Sequence, residues 1–119
     1  MTEKQVEIAL EEAVIRAKEN GVVICWGDFG VAGFLPGEVF ESENNRMCPI
    51  GAYLLGKPVP DVDNGEILGA AHIITGVSVS WFSGFYYGFD NLSNYADAKK
   101  VWSRGYEAGQ RLRAKYVVR

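Results

Sequence analysis

Histidine is nearly absent from this chain of 119 residues: His72 stands alone. One imidazole excludes most histidine-based metal sites and catalytic triads. Cysteine is scarce too, and Cys25 and Cys48 sit in unrelated contexts. A zinc site drawn from these thiols, His72 and a carboxylate would lack the close paired spacing such sites show. Neither a metal nor a cofactor is therefore expected. The opening residues, Met1 to Glu7, contain no apolar signal core. A cytoplasmic chain with both thiols reduced is the expectation.

What is present suits one globular domain spanning 1–119. Hydrophobic residues make up 48% and charged residues 23%, far from a disordered composition and enough for one real core. The net charge of −3 conceals a polarity. Residues 1–98 carry fourteen acidic and five basic side chains, whereas residues 99–119 carry seven basic ones and only Glu107 on the acidic side.

The pattern along the chain predicts a mainly helical fold of four or five helices. Residues 3–19 lack Gly and Pro and place Val6, Leu10, Ala13, Val14 and Ala17 on one face, with Asn20-Gly21 as the stop. Glu3, Glu7 and Glu11 form an acidic stripe beside that face. A glycine-bounded, β-branched run over 21–27 reads as a buried strand. With a return near 38–41 it would make a short hairpin or strand pair. Cys48-Pro49 opens a second helix closed by Gly56 and Pro58. A third runs from Glu66 to Thr75 and stops at Gly76. Ser78 caps a fourth, ending at Phe89, and a last helix begins near Asn94 or Asp97 and ends at Tyr116. The fourth should be the most buried and pack on the last. Glycine costs about 1 kcal/mol per helix position relative to alanine. Gly84 and Gly88 on one helix and Gly105 and Gly109 on the next therefore imply close helix–helix contact.

Several motif resemblances fail on chemistry. Ile67 to Phe89 is 23 residues without a charge, long enough to cross a bilayer, but three serines, Thr75, His72 and four glycines favour two buried helices. The break at Gly76-Val77-Ser78 has helix-turn-helix spacing. Its second helix, however, offers no Lys, Arg, Asn or Gln to phosphates or base edges, so nucleic acid is the disfavoured partner. Gly51 to Lys57 nearly spells a phosphate-binding loop, yet Pro58 stands where a magnesium-binding hydroxyl is required. Asp61-Val62-Asp63-Asn64-Gly65 has the wrong register for a calcium loop.

Four groups of candidate residues remain. Cys48, at a helix N-terminus where the dipole favours thiolate, could act as a nucleophile only with His72 as base. Trp26, Phe29 and Phe34, set among glycines, could wall a small apolar ligand site or plug the protein's own core. Lys100, Arg104, Arg111 and Lys115 make a basic stripe on the last helix, suited to an anionic partner or, the favoured reading, to pairing with the Glu3/Glu7/Glu11 stripe within or between subunits or to a solvated helix end. Ten of the fifteen aromatics follow residue 80, more than one small core should hold. Trp81, Phe85, Tyr87, Trp102 and Tyr106 are thus expected to surface as an interaction face covered by a second copy. The function expected is a non-enzymatic binding or interaction protein that forms a homodimer through its C-terminal half. The alternatives are a thiol-dependent enzyme using Cys48 with His72 and a nucleic-acid-associated helix-turn-helix protein.

Overall fold

The computed structural model describes residues 1–21, 23–24, 46–47, 49–54, 57, 67–92, 94 and 99–116. Within them the chain is mainly helical. The order is α1 (Glu3–Glu19), β1 (Val23–Ile24), β2 (Arg46–Met47), α2 (Pro49–Leu54), α3 (Ile67–Thr75), α4 (Val79–Phe89) and α5 (Lys100–Tyr116).

Helix α1 starts where its first orphan amides find partners. Thr2 Oγ1 accepts from the Gln5 amide at 3.1 Å, and Gln5 Oε1 accepts from the Thr2 amide at 2.8 Å. That reciprocal capping box fixes the first turn. The helix ends at Asn20, and Gly21 follows at φ 80°, a left-handed conformation that glycine adopts at no steric cost. Its buried side chains are the five that the spacing predicts, Val6, Leu10, Ala13, Val14 and Ala17.

After α1, no hairpin appears among the described residues. Val23 pairs with Arg46 and Ile24 with Met47 in parallel, and parallel neighbours cannot be joined by a tight turn. The return predicted at 38–41 lies outside the described residues. Helix α2 is short, and all six of its residues are buried.

The elbow between α3 and α4 is built from local hydrogen bonds. Gly76, at φ 76°, donates its amide to His72 O at 2.7 Å. Thr75 Oγ1 donates to Ala71 O at 2.7 Å and accepts from the Val77 amide at 3.1 Å. Ser78 then caps α4, its Oγ accepting from the Ser80 amide at 3.1 Å.

Helix α4 is the axis of the core. Trp81, Phe82, Phe85 and Phe89 are each 1% exposed or less. Trp81 stacks on Phe85 at 5.5 Å between ring centroids and Phe85 on Phe89 at 6.3 Å. These rings join Val6, Leu10 and Val14 of α1, Ile50 and Leu54 of α2, Ala70 and Ala71 of α3 and Leu112 of α5 in one cluster. Burying each large side chain contributes about 1.5–3 kcal/mol, so α4 is where most of the fold's hydrophobic stabilisation converges.

Helices α4 and α5 run parallel with their backbones touching. A methyl carbon on Gly84 would overlap the Trp102 carbonyl and come within 2.9 Å of the Tyr106 amide nitrogen. One on Gly105 would overlap the Trp81 carbonyl, and one on Gly109 would sit 2.7 Å from the Phe89 nitrogen. The glycines at 84, 88, 105 and 109 thus occupy positions where no Cβ fits. Side chains of α5 also cap α4. Gln110 donates to Gly88 O at 2.6 Å and Arg113 to Phe89 O at 2.7 Å, placing a cation at the negative end of the α4 dipole.

Candidate functional site

The described surface has one chemically organised feature, a groove between α1 and α5. In α1, residues 3, 7 and 11 succeed one another at four-residue spacing, so their carboxylates rise on one side of the helix. In α5, residues 104, 111 and 115 share a face next to the buried Ala108 and Leu112. The two helices run in the same direction, and three ion pairs cross the groove like rungs. Arg104 binds Glu3 through two bonds of 2.8 and 2.9 Å. Arg111 binds Glu7 through two of 2.8 Å. Lys115 reaches both Glu11 oxygens at 3.2 and 3.3 Å, and Tyr116 donates its hydroxyl to Glu11 at 3.1 Å. The groove encloses about 620 Å³, with Ile8 on its α1 side, Glu107 on its α5 side and Trp81 of α4 also lining it.

The electrostatics follow from this geometry. The hydrogen bonds from Arg104 hold the Glu3 carboxyl below the ordinary carboxylate value, outweighing its partial desolvation, and the guanidinium charge adds to them. Glu7 is lowered in the same way by Arg111, with smaller contributions from the charges of Lys115 and Lys4. Both arginines are raised by the same bonds. The cationic side chains remain 51–58% exposed, so water screens every rung. Arg104, Arg111 and Lys115 therefore spend their charge inside the chain, one of the arrangements the sequence left open. Lys100, the fourth member of the stripe, is exposed at the start of α5. No family model, curated protein or solved structure matches the chain. The reading of the site rests on its own residues.

The other candidates separate. Trp26, Phe29, Phe34 and Cys48 lie outside the described residues. His72 is exposed, and its Nδ1 lies 2.8 Å from Val77 O. A carbonyl can only accept, so Nδ1 carries a proton in this contact, and the ring's inner nitrogen is committed to the elbow. Among the described residues no three His, Cys, Asp or Glu side chains are grouped to hold a metal ion. No helix among them is long and apolar enough to cross a membrane.

The aromatic interaction face needs correction. Trp81 and Phe85 are interior, at 1% and 0% exposure, because their rings belong to the core cluster that α1, α2 and α3 share with α4. Tyr87, Trp102 and Tyr106 instead form a second seam. Tyr87 meets Trp102 edge-on at 5.7 Å and Trp102 stacks on Tyr106 at 5.4 Å. Trp102 is buried, while Tyr87 and Tyr106 are half-buried. Tyr106 donates its hydroxyl to Leu92 O at 2.9 Å. Sequence reasoning missed Trp81 as part of the groove lining and Ile8 on its rim. Ile8 departs from the core spacing of α1, the one signal that it faces outward.

Proposed function

We propose that this chain is a non-enzymatic interaction protein that works as a self-associated assembly. One observation carries the reading: among the described residues the cations of the α5 stripe that face α1 are paired within the chain, while five large aliphatic side chains stand exposed. Three cations of α5 are engaged by α1, and His72 is tied to the elbow, whereas Ile8, Ile15, Ile73, Val79 and Leu92 are 40–60% exposed. Ile8 and Ile15 share the outward face of α1, and apolar patches of this kind mark contact surfaces.

Helix α4 fits the nucleic-acid alternative poorly. It spends Trp81, Phe82, Phe85 and Phe89 on the core and Gly84 and Gly88 on α5. Its remaining side, with Val79, Ser83 and Tyr87, offers no cation to a phosphate. Sedimentation velocity over a wide dilution series tests the proposal. The expected result is a mass above the 13.1 kDa of one chain that falls with dilution. One chain's mass at every concentration would sink it.

A further inference from the structure

The outward face of α1 carries a pattern that the core does not use and that borders the ion-pair groove at Lys4 and Ile8. At about 100° per residue, Lys4, Ile8, Ile15 and Glu19 share one stripe, turned away from Val6, Leu10 and Val14. Ile8 is 50% exposed and Ile15 40%, and seven residues separate them by about 10 Å along the axis. Lys4 and Glu19 are exposed at the two ends. The stripe is self-complementary. Positions 4 and 19, and positions 8 and 15, stand equally far from the midpoint between Glu11 and Glu12.

We propose that this stripe is a docking face for a second copy of the chain, whose α1 lies on it antiparallel about a two-fold axis. In that register Ile8 meets Ile15 of the second copy and Ile15 meets its Ile8, while Lys4 at each end faces a Glu19. A parallel arrangement would set Lys4 against Lys4 and Glu19 against Glu19, so charge selects the antiparallel one. A two-fold contact uses the same patch on both chains, as this stripe requires. Near the axis Glu11 is already held by Lys115 and Tyr116. Glu12 is the cost: two copies of it approach, each with Arg16 one turn along its own helix.

This proposal rests on the self-association reading and names its face. The test is sedimentation velocity on the full chain and on variants whose helical circular dichroism matches it. Ile8→Ser and Ile15→Ser should each raise the dimer dissociation constant about tenfold. Lys4→Glu and Glu19→Lys should each raise it about threefold, and Lys4→Glu combined with Glu19→Lys should bring it back. Glu12→Gln should lower it. A dimer indifferent to Ile8→Ser and Ile15→Ser would overturn the α1 face while leaving self-association standing. Single charge changes that weaken the dimer without rescue in the double variant would overturn the antiparallel register. A monomer throughout would overturn both the face and the reading beneath it.

Discussion

Helix α5 has two edges, and they hold their neighbours by opposite means. Toward α4 it presents Gly105 and Gly109, and backbone meets backbone with no room for a methyl group. Toward α1 it presents Arg104, Arg111 and Lys115, and long side chains bridge an open groove of about 620 Å³. The first edge excludes water and tolerates no added volume, because close-packed surfaces cannot yield without shifting a helix. The second is wet, and each of its contacts can be replaced by water at little cost. One helix is thus welded on one side and laced on the other, and substitutions on the two sides should differ several-fold in effect.

The largest effect belongs to the glycine edge. Gly105→Ala should destabilise the fold by about 3 kcal/mol, the upper end for overpacking, even though alanine gains about 1 kcal/mol in helix propensity. Its Cβ would overlap the Trp81 carbonyl and approach the Phe85 nitrogen to 3.0 Å. Gly69→Ala is the control. Gly69 also lies inside a helix, but an added Cβ there meets nothing within 4 Å, so the same change should stabilise by up to about 1 kcal/mol. Urea denaturation of the pair reads the difference. Equal effects would mean that propensity, and not backbone contact, governs these glycines.

The two edges were legible to different depths. Gly84, Gly88, Gly105 and Gly109 announce themselves because glycine inside a helix is costly and needs a compensating contact. The rows Glu3/Glu7/Glu11 and Arg104/Arg111/Lys115 could each be read from helical spacing. That they lie abreast could not be read directly, since no local rule says which helices become neighbours. The same gap misplaced Trp81 and Phe85. Counting aromatics against the room in one core left out that the α4 rings share one cluster with Val6, Leu10 and Val14 of α1 and Ile50 and Leu54 of α2. Tyr87, Trp102 and Tyr106 then take a second seam of their own. Val23–Ile24 falls within the run read as a strand, but its parallel partner Arg46–Met47 was missed, because two polar-flanked residues carry no periodicity to detect.

An intermediate effect should come from the caps that α5 supplies to α4. Arg113 donates to Phe89 O at 2.7 Å from a half-buried position, and it brings a positive charge to a helix C-terminus. Arg113→Ala should cost about 1–2 kcal/mol, and Arg113→Lys should recover part of that by restoring the charge. Thermal unfolding at low and high salt separates the two contributions. If Lys recovers nothing even at low salt, the fork geometry of the guanidinium matters and the charge does not.

The smallest effect lies on the laced edge, where pH reads it best. Glu3 and Glu7 are held below their ordinary carboxylate value by hydrogen bonds from Arg104 and Arg111. For a group with a lowered folded-state pKa, the stabilisation is present above the unfolded pKa, near 4.5. It is lost as pH falls through the folded value, because the unfolded chain takes up the proton first. The raised arginine values work in the opposite sense and matter only in strongly alkaline solution. Glu7→Gln should therefore cost about 0.5 kcal/mol at neutral pH, discounted for the 56% exposure of Arg111. The difference from the parent chain should shrink as pH drops below about 4.5 and vanish once pH is well below the lowered folded-state value. High salt at neutral pH should also narrow it, since the pair is open to solvent. A Glu7→Gln deficit that persisted unchanged well below that value would show that Glu7 acts through packing over Trp81 and not through its charge, and the laced edge would then be a second welded one.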